Sequence, residues 1–144
     1  MKRSTAREAA FLFAYQRTVR DDAMEELLES AAEGGNEELA LDDFGRALIT
    51  RCDEKTAELD EVISRYLQNW KLSRLPRLTL AALRLAACEM LYSPDVPVAV
   101  TINETVEFLK KYASPEDASF ANGVLGGIAK NEPVLDCDTA AGEG

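Results

Sequence analysis

Five cations crowd the first twenty residues, where Lys2, Arg3, Arg7, Arg17 and Arg20 stand against the single carboxylate Glu8. That end carries +4 in a chain of net charge −10, which leaves −14 on the remainder. Ammonium and guanidinium groups at this density serve one chemistry above others, the neutralisation of phosphate. The acidic remainder repels a polyanion at long range, so a nucleic-acid site here is local, modest in affinity alone and served by a helper partner. The other reading of the same arginines is an ordinary solvated helix face, and the residues leave both open.

Composition argues against catalysis. The chain has no histidine, which removes the commonest general base and transition-metal ligand together. Cys52, Cys88 and Cys137 are widely spaced with no C-x-x-C pair, the pattern of two core thiols and a tail thiol, unlike a disulfide framework or a zinc site. Pairs such as Glu25/Glu26 and Asp42/Asp43 lack a matching base, electrophile or metal-spaced partner and read as solvated surface. Gly123, Gly126 and Gly127 match neither a phosphate loop nor a dinucleotide fingerprint and read as places of close helix packing. No catalytic residue, metal ligand or cofactor is expected.

The elements that must position these residues are helical. Leu78 to Leu91 carries only Arg84 and Glu89 as charges and is dense in Ala, Leu and Met, so it reads as a helix that others wrap on most sides. Arg84 in such a helix reads either as a functional residue or, by the preferred reading, as an arginine held by a structural carboxylate partner. Upstream, Thr5-Ala6-Arg7-Glu8 has the form of a capping box opening a first helix that runs to about Val19. On a helical wheel Phe11, Leu12, Tyr15 and Val19 form a packing arc, and Arg3, Arg7, Ala10, Ala14 and Arg17 form a basic one. A short acidic helix is expected over about Asp22–Glu33. A long helical pattern from Asp42 to Trp70 follows, with a break predicted at Asp53-Glu54-Lys55-Thr56. Ser73-Arg74-Leu75-Pro76 is a bend that separates an N-terminal half, 1–70, from a C-terminal half, 71–131. Helices over Val98–Tyr112 and from Pro115 to about Lys130, the second capped by Ser114, complete the domain. Residues 132–144 lack apolar periodicity and read as a disordered acidic tail. The fold class is all-α, about seven helices in one domain around a central apolar helix. No membrane span or signal peptide is supported, so the cytoplasm is the default location.

Four blocks in order carry a resemblance: Ala6-Arg7-Glu8-Ala9-Ala10 with Tyr15-Gln16; Leu83-Arg84-Leu85-Ala86 with Glu89-Met90; Asp95-Val96-Pro97 with Ile102-Asn103-Glu104-Thr105-Val106-Glu107; and Phe120-Ala121-Asn122-Gly123-Val124-Leu125. Together, over about Thr5 to Lys130, the chain resembles NusB, the bacterial transcription antitermination family. The resemblance implies two packed helical bundles and a non-enzymatic protein. Its partners would be single-stranded boxA-type RNA of ribosomal RNA operons and NusE, a small-subunit ribosomal protein. Other antitermination factors and RNA polymerase would be reached indirectly. Carried over residue by residue, it implies RNA contacts at Lys2, Arg3, Arg7, Tyr66, Asp117, Phe120 and Asn122, and a NusE interface at Tyr15, Val19 and Thr79. Two departures stand out. Ser4 and Thr5 occupy places where the family usually has arginine, and Thr79-Leu80 replaces its usual acid and base pair. The alternative class is a helical adaptor or homo-oligomeric module, including a homodimer, without nucleic acid.

Overall fold

The computed structural model describes residues 3–19, 43–68, 70–93 and 96–134. Six α-helices lie in them: α1 (Arg3–Val19), α2 (Asp43–Glu54), α3 (Thr56–Ser64), α4 (Arg77–Tyr92), α5 (Val98–Tyr112) and α6 (Pro115–Asn131), with a single 3₁₀ turn at Leu72–Arg74. The expected acidic helix over 22–33, Lys2 and Cys137 lie outside the described residues, as do the side chains of Arg3, Arg7 and Val19.

The stretch expected to be central is α4, and it packs against all five other described helices. Ala81, Ala82, Leu83, Leu85, Ala86, Ala87, Cys88 and Met90 are all buried. Alanine at so many positions lets neighbouring backbones approach, while the leucines supply apolar area, about 1.5–3 kcal/mol each on full burial. Helices α1, α2 and α3 pack on α4 as one bundle, and α5 and α6 pack on each other and on α4 as the second. Polar groups inside this core are paired, the Thr79 hydroxyl excepted. Arg84 Nε and Nη2 donate to the two oxygens of Asp60 at 2.7 and 2.9 Å, the carboxylate partner that an arginine in this helix requires. Glu89 accepts from the Thr101 hydroxyl at 2.5 Å. Cys52 and Cys88 are buried free thiols, and the hydrogen bond to Cys52, with burial, pushes the Cys88 thiol far up.

The helix break falls at Lys55, inside the predicted polar stretch, and the Thr56 hydroxyl donates to the Cys52 carbonyl there at 2.9 Å. The following helix ends at Ser64, earlier than the apolar periodicity to Trp70 implies. Tyr66 lies in the turn just past that end, its amide donating to the Ile63 carbonyl at 3.0 Å, and Gln68, left-handed with φ 56°, then reverses the chain ahead of Trp70. The start of α6 follows its sequence closely. Ser114 Oγ accepts from the Asp117 amide at 3.1 Å with Pro115 in the first turn.

Other expectations are corrected. Helix α1 begins at Arg3, so Thr5 lies inside it, and the Glu8 carboxylate turns to α5 instead of closing a capping box. Ala10, placed on the basic arc, is wholly buried, and Phe13 is buried too. The reason is that α1 is enclosed by α4, α2 and α5, so its buried face is wider than one arc. Only Gly127 among the three α6 glycines sits at a close contact; a Cβ at Gly123 or Gly126 would meet nothing within 4 Å. Glu132 and Val134, assigned to the tail, are held against the body, Glu132 by Arg65 and Tyr66 and Val134 by the core.

Candidate nucleic-acid interface

The basic turn of α1 is tied to the end of α5 through one carboxylate. Glu8 Oε1 accepts from Lys111 Nζ at 3.0 Å and from the Tyr112 hydroxyl. The tyrosine bond, with Lys111 adding to it, holds the Glu8 carboxyl below its ordinary range against an opposing effect of burial second only to that bond. The same contact raises the Tyr112 phenol and the Lys111 ammonium. Beneath it Phe11 of α1 packs on Phe108 of α5 with centroids 4.5 Å apart, and Phe108 packs on Tyr112 at 4.9 Å. Lys110 and Lys111 close the last turn of α5, where the helix dipole favours cations. Both are exposed. Arg3 and Arg7 of α1 therefore share an end of the molecule with two further lysines, and Ser114 opens α6 immediately afterwards.

Tyr66 follows α3 and lies half-buried across α6. A Cβ placed on Gly127 would come within 2.7 Å of its Cδ1, so glycine is what lets the ring lie flat on the helix. Its hydroxyl donates to Glu132, which also accepts from Arg65 Nη1 at 2.8 Å. Glu132 is held as a carboxylate, by Tyr66 and then Arg65, and the Tyr66 phenol is raised in return. Phe120 is half-buried and meets Trp70 edge to face, centroids 6.4 Å apart and planes at 71°. Trp70 is 59% exposed. In the sequence it continues the apolar spacing of the helix before it. The signal that could have set it apart is its neighbourhood, Trp70-Lys71-Leu72-Ser73-Arg74-Leu75-Pro76, basic and closed by proline.

The remaining candidates separate. Asp117 is committed to its cap, accepting from the Ser114 hydroxyl at 2.9 Å as well as supplying the capped amide. Asn122 is exposed but lies about 200° around the helix from Phe120. It lines a groove of about 440 Å³ between α5 and α6, with Ile102, Val106, Ala118 and Lys110 among its walls. Tyr15 is at the surface, 36% exposed. Thr79 is corrected, because its side chain is wholly buried in the first turn of α4 and presents nothing to a partner. The polar character of threonine gives no sign of that burial in the sequence.

Fold and surface together define an all-α protein of two packed bundles that displays cations beside aromatic rings, an interaction protein in class. Comparison with known proteins makes this specific. The NusB family model matches residues 4–130. The chain is 42% identical over 128 residues to the transcription antitermination protein NusB of Bacillus subtilis, covering 89% of this chain and 95% of that one. It superposes on the solved structure of T. maritima NusB with a TM-score of 0.79 at 34% identity, over 91% and 92% of the two chains. A structure of the antitermination factors NusB and NusE in complex with dsRNA matches with a TM-score of 0.77 at 27% identity, over 89% and 96%. The chain belongs to the NusB family, as its four sequence blocks indicate. Among the described residues no helix is long and apolar enough to cross a membrane.

Proposed function

We propose that this chain binds single-stranded boxA-type RNA of ribosomal RNA operons jointly with NusE and promotes antitermination, acting as a binding protein and not as an enzyme. The observation that carries the reading is the Glu8–Lys111–Tyr112 junction. It brings the α1 turn bearing Arg3 and Arg7 to Lys110, Lys111 and the start of α6, which leads on to Phe120 and Tyr66. A strand lying along this end meets cations for its phosphates and rings for its bases, and unpaired RNA exposes both. Asp117 contributes by fixing the start of α6, and Asn122 stands outside this path. NusE takes the Tyr15 and Val19 side of α1, and other antitermination factors and RNA polymerase are engaged through that complex. The relatives that support this are named as antitermination proteins, and a matching structure joins NusB and NusE with RNA.

The test is an anisotropy titration of labelled single-stranded boxA-type RNA with and without NusE. Contacts from Lys2, Arg3 and Arg7 give a slope of log affinity on log salt of about −2, at roughly −0.7 per phosphate on a single strand. NusE tightens binding. Arg3→Ala with Arg7→Ala weakens it across sequences and flattens the slope by about one to two, leaving thermal stability nearly unchanged. A double variant that binds as tightly as the parent at equal salt, with NusE present, removes RNA from this face and leaves a helical adaptor.

A further inference from the structure

We infer that Trp70, seated edge to face on Phe120, is a stacking platform for one unpaired RNA base, and that Lys71 and Arg74 hold the phosphates beside it. The inference rests on the RNA-binding reading above and adds to it a base site on the short segment between α3 and α4. Four observations carry it. First, Trp70 is 59% exposed, although an indole gains more than most side chains from burial. Second, it is held in place while exposed. Its amide donates to the Leu67 carbonyl at 3.1 Å, its ring rests on Phe120, and Leu67 and Leu75 on either side of it are buried. A ring pre-set in this way binds a flat ligand without first losing side-chain freedom. Third, Lys71 and Arg74 are exposed, and neither takes part in an ion pair among the described residues. Fourth, no other exposed large apolar side chain belongs to residues 65–76 or to α6 among the described residues.

The last observation decides between kinds of partner. A protein-binding hot spot sets its tryptophan in a ring of contacts that exclude water. A lone exposed ring with cations beside it matches stacking on a base, where one flat face and nearby positive charge are enough. Every nucleobase has such a face, so the platform adds affinity without reading sequence.

Trp70 is the single tryptophan of the chain, so its emission reports this site directly. The full chain is titrated with a single-stranded boxA-type RNA oligonucleotide while intrinsic emission is followed, and in parallel the anisotropy of the same RNA carrying a label is recorded. The expected result is quenching that saturates where the anisotropy does. Trp70→Leu should weaken binding about tenfold, with Trp70→Phe recovering most of it, and Lys71→Ala with Arg74→Ala should flatten the salt slope by about one. Thermal melts of all variants are expected to stay close to the parent, because the altered side chains are exposed. RNA binding by anisotropy with unchanged emission and unchanged affinity of Trp70→Leu overturns the platform and leaves the RNA reading intact. Emission that changes on adding NusE but not RNA makes the site a protein surface and also overturns it. Absence of any RNA binding, with NusE present, overturns both readings. Should Trp70→Leu lose its fold, the quenching and the Lys71/Arg74 variant still decide.

Discussion

Thr79→Val should stabilise this protein. Thr79 is wholly buried, and its hydroxyl is the buried side-chain polar atom left without a partner among the described residues. Valine has nearly the same shape and the same branching at Cβ, so rotamer restriction within the helix is largely conserved. What changes is the hydroxyl. Holding one in an apolar site without a hydrogen bond costs about 1–3 kcal/mol, and the methyl that replaces it gains about 0.8 kcal/mol on burial. The expected gain is about 1–3 kcal/mol, with a Tm higher by about 3–10 °C for a chain of this size. Urea melts should show a higher midpoint at unchanged slope. Thr79→Ser, which keeps the hydroxyl and deletes the methyl, should lose about 1 kcal/mol. A valine variant no more stable than the parent would show that the hydroxyl is satisfied in solution. One that folds normally but loses NusE would show that position 79 reaches the surface.

Two further experiments probe the Tyr66 region and the carboxylate ties. Gly123→Ala, where a Cβ meets open space, should stabilise by up to about 1 kcal/mol through helix propensity. Gly127→Ala, where it would lie 2.7 Å from the Tyr66 ring, should come out about 1–3 kcal/mol worse than Gly123→Ala. Equal effects in urea melts would mean that Tyr66 does not lie on Gly127. The second experiment is a pH series. Glu8 and Glu132 are held below their ordinary value of 4.5, so each favours the folded state above that pH, and the contribution fades as pH falls through the lower folded value. The parent should therefore lose Tm below about pH 4.5, and Glu8→Gln with Glu132→Gln should flatten that acid limb; an unchanged limb would place its origin elsewhere.

Much of the fold was legible because its signals are local. The Ala and Leu density of α4 required neighbours on most sides, Ser114-Pro115 set the start of α6, and the thinning of apolar residues after Cys52 located the break at Lys55. The misreadings have one source, that a periodicity does not say what faces it. Trp70 continued a helical rhythm that the left-handed Gln68 interrupts. Ala10 looked like the small side of a basic face until a second layer of helices covered it. Glu132 read as tail because its partners, Arg65 and Tyr66, are more than sixty positions away.

The same division holds for the candidate site. By itself the sequence determined the all-α class, the lack of histidine chemistry, the cationic amino-terminal end and the family resemblance, since these depend on residue identity and short spacing. The tertiary structure decided which rings and charges are neighbours. It placed Lys111 and Tyr112 on Glu8, laid Tyr66 on Gly127 and Trp70 on Phe120, and put Asn122 on the far side of α6 and Thr79 in the core. Those outcomes follow from how helices pack on α4, a collective balance of apolar burial over the whole chain that no single segment encodes.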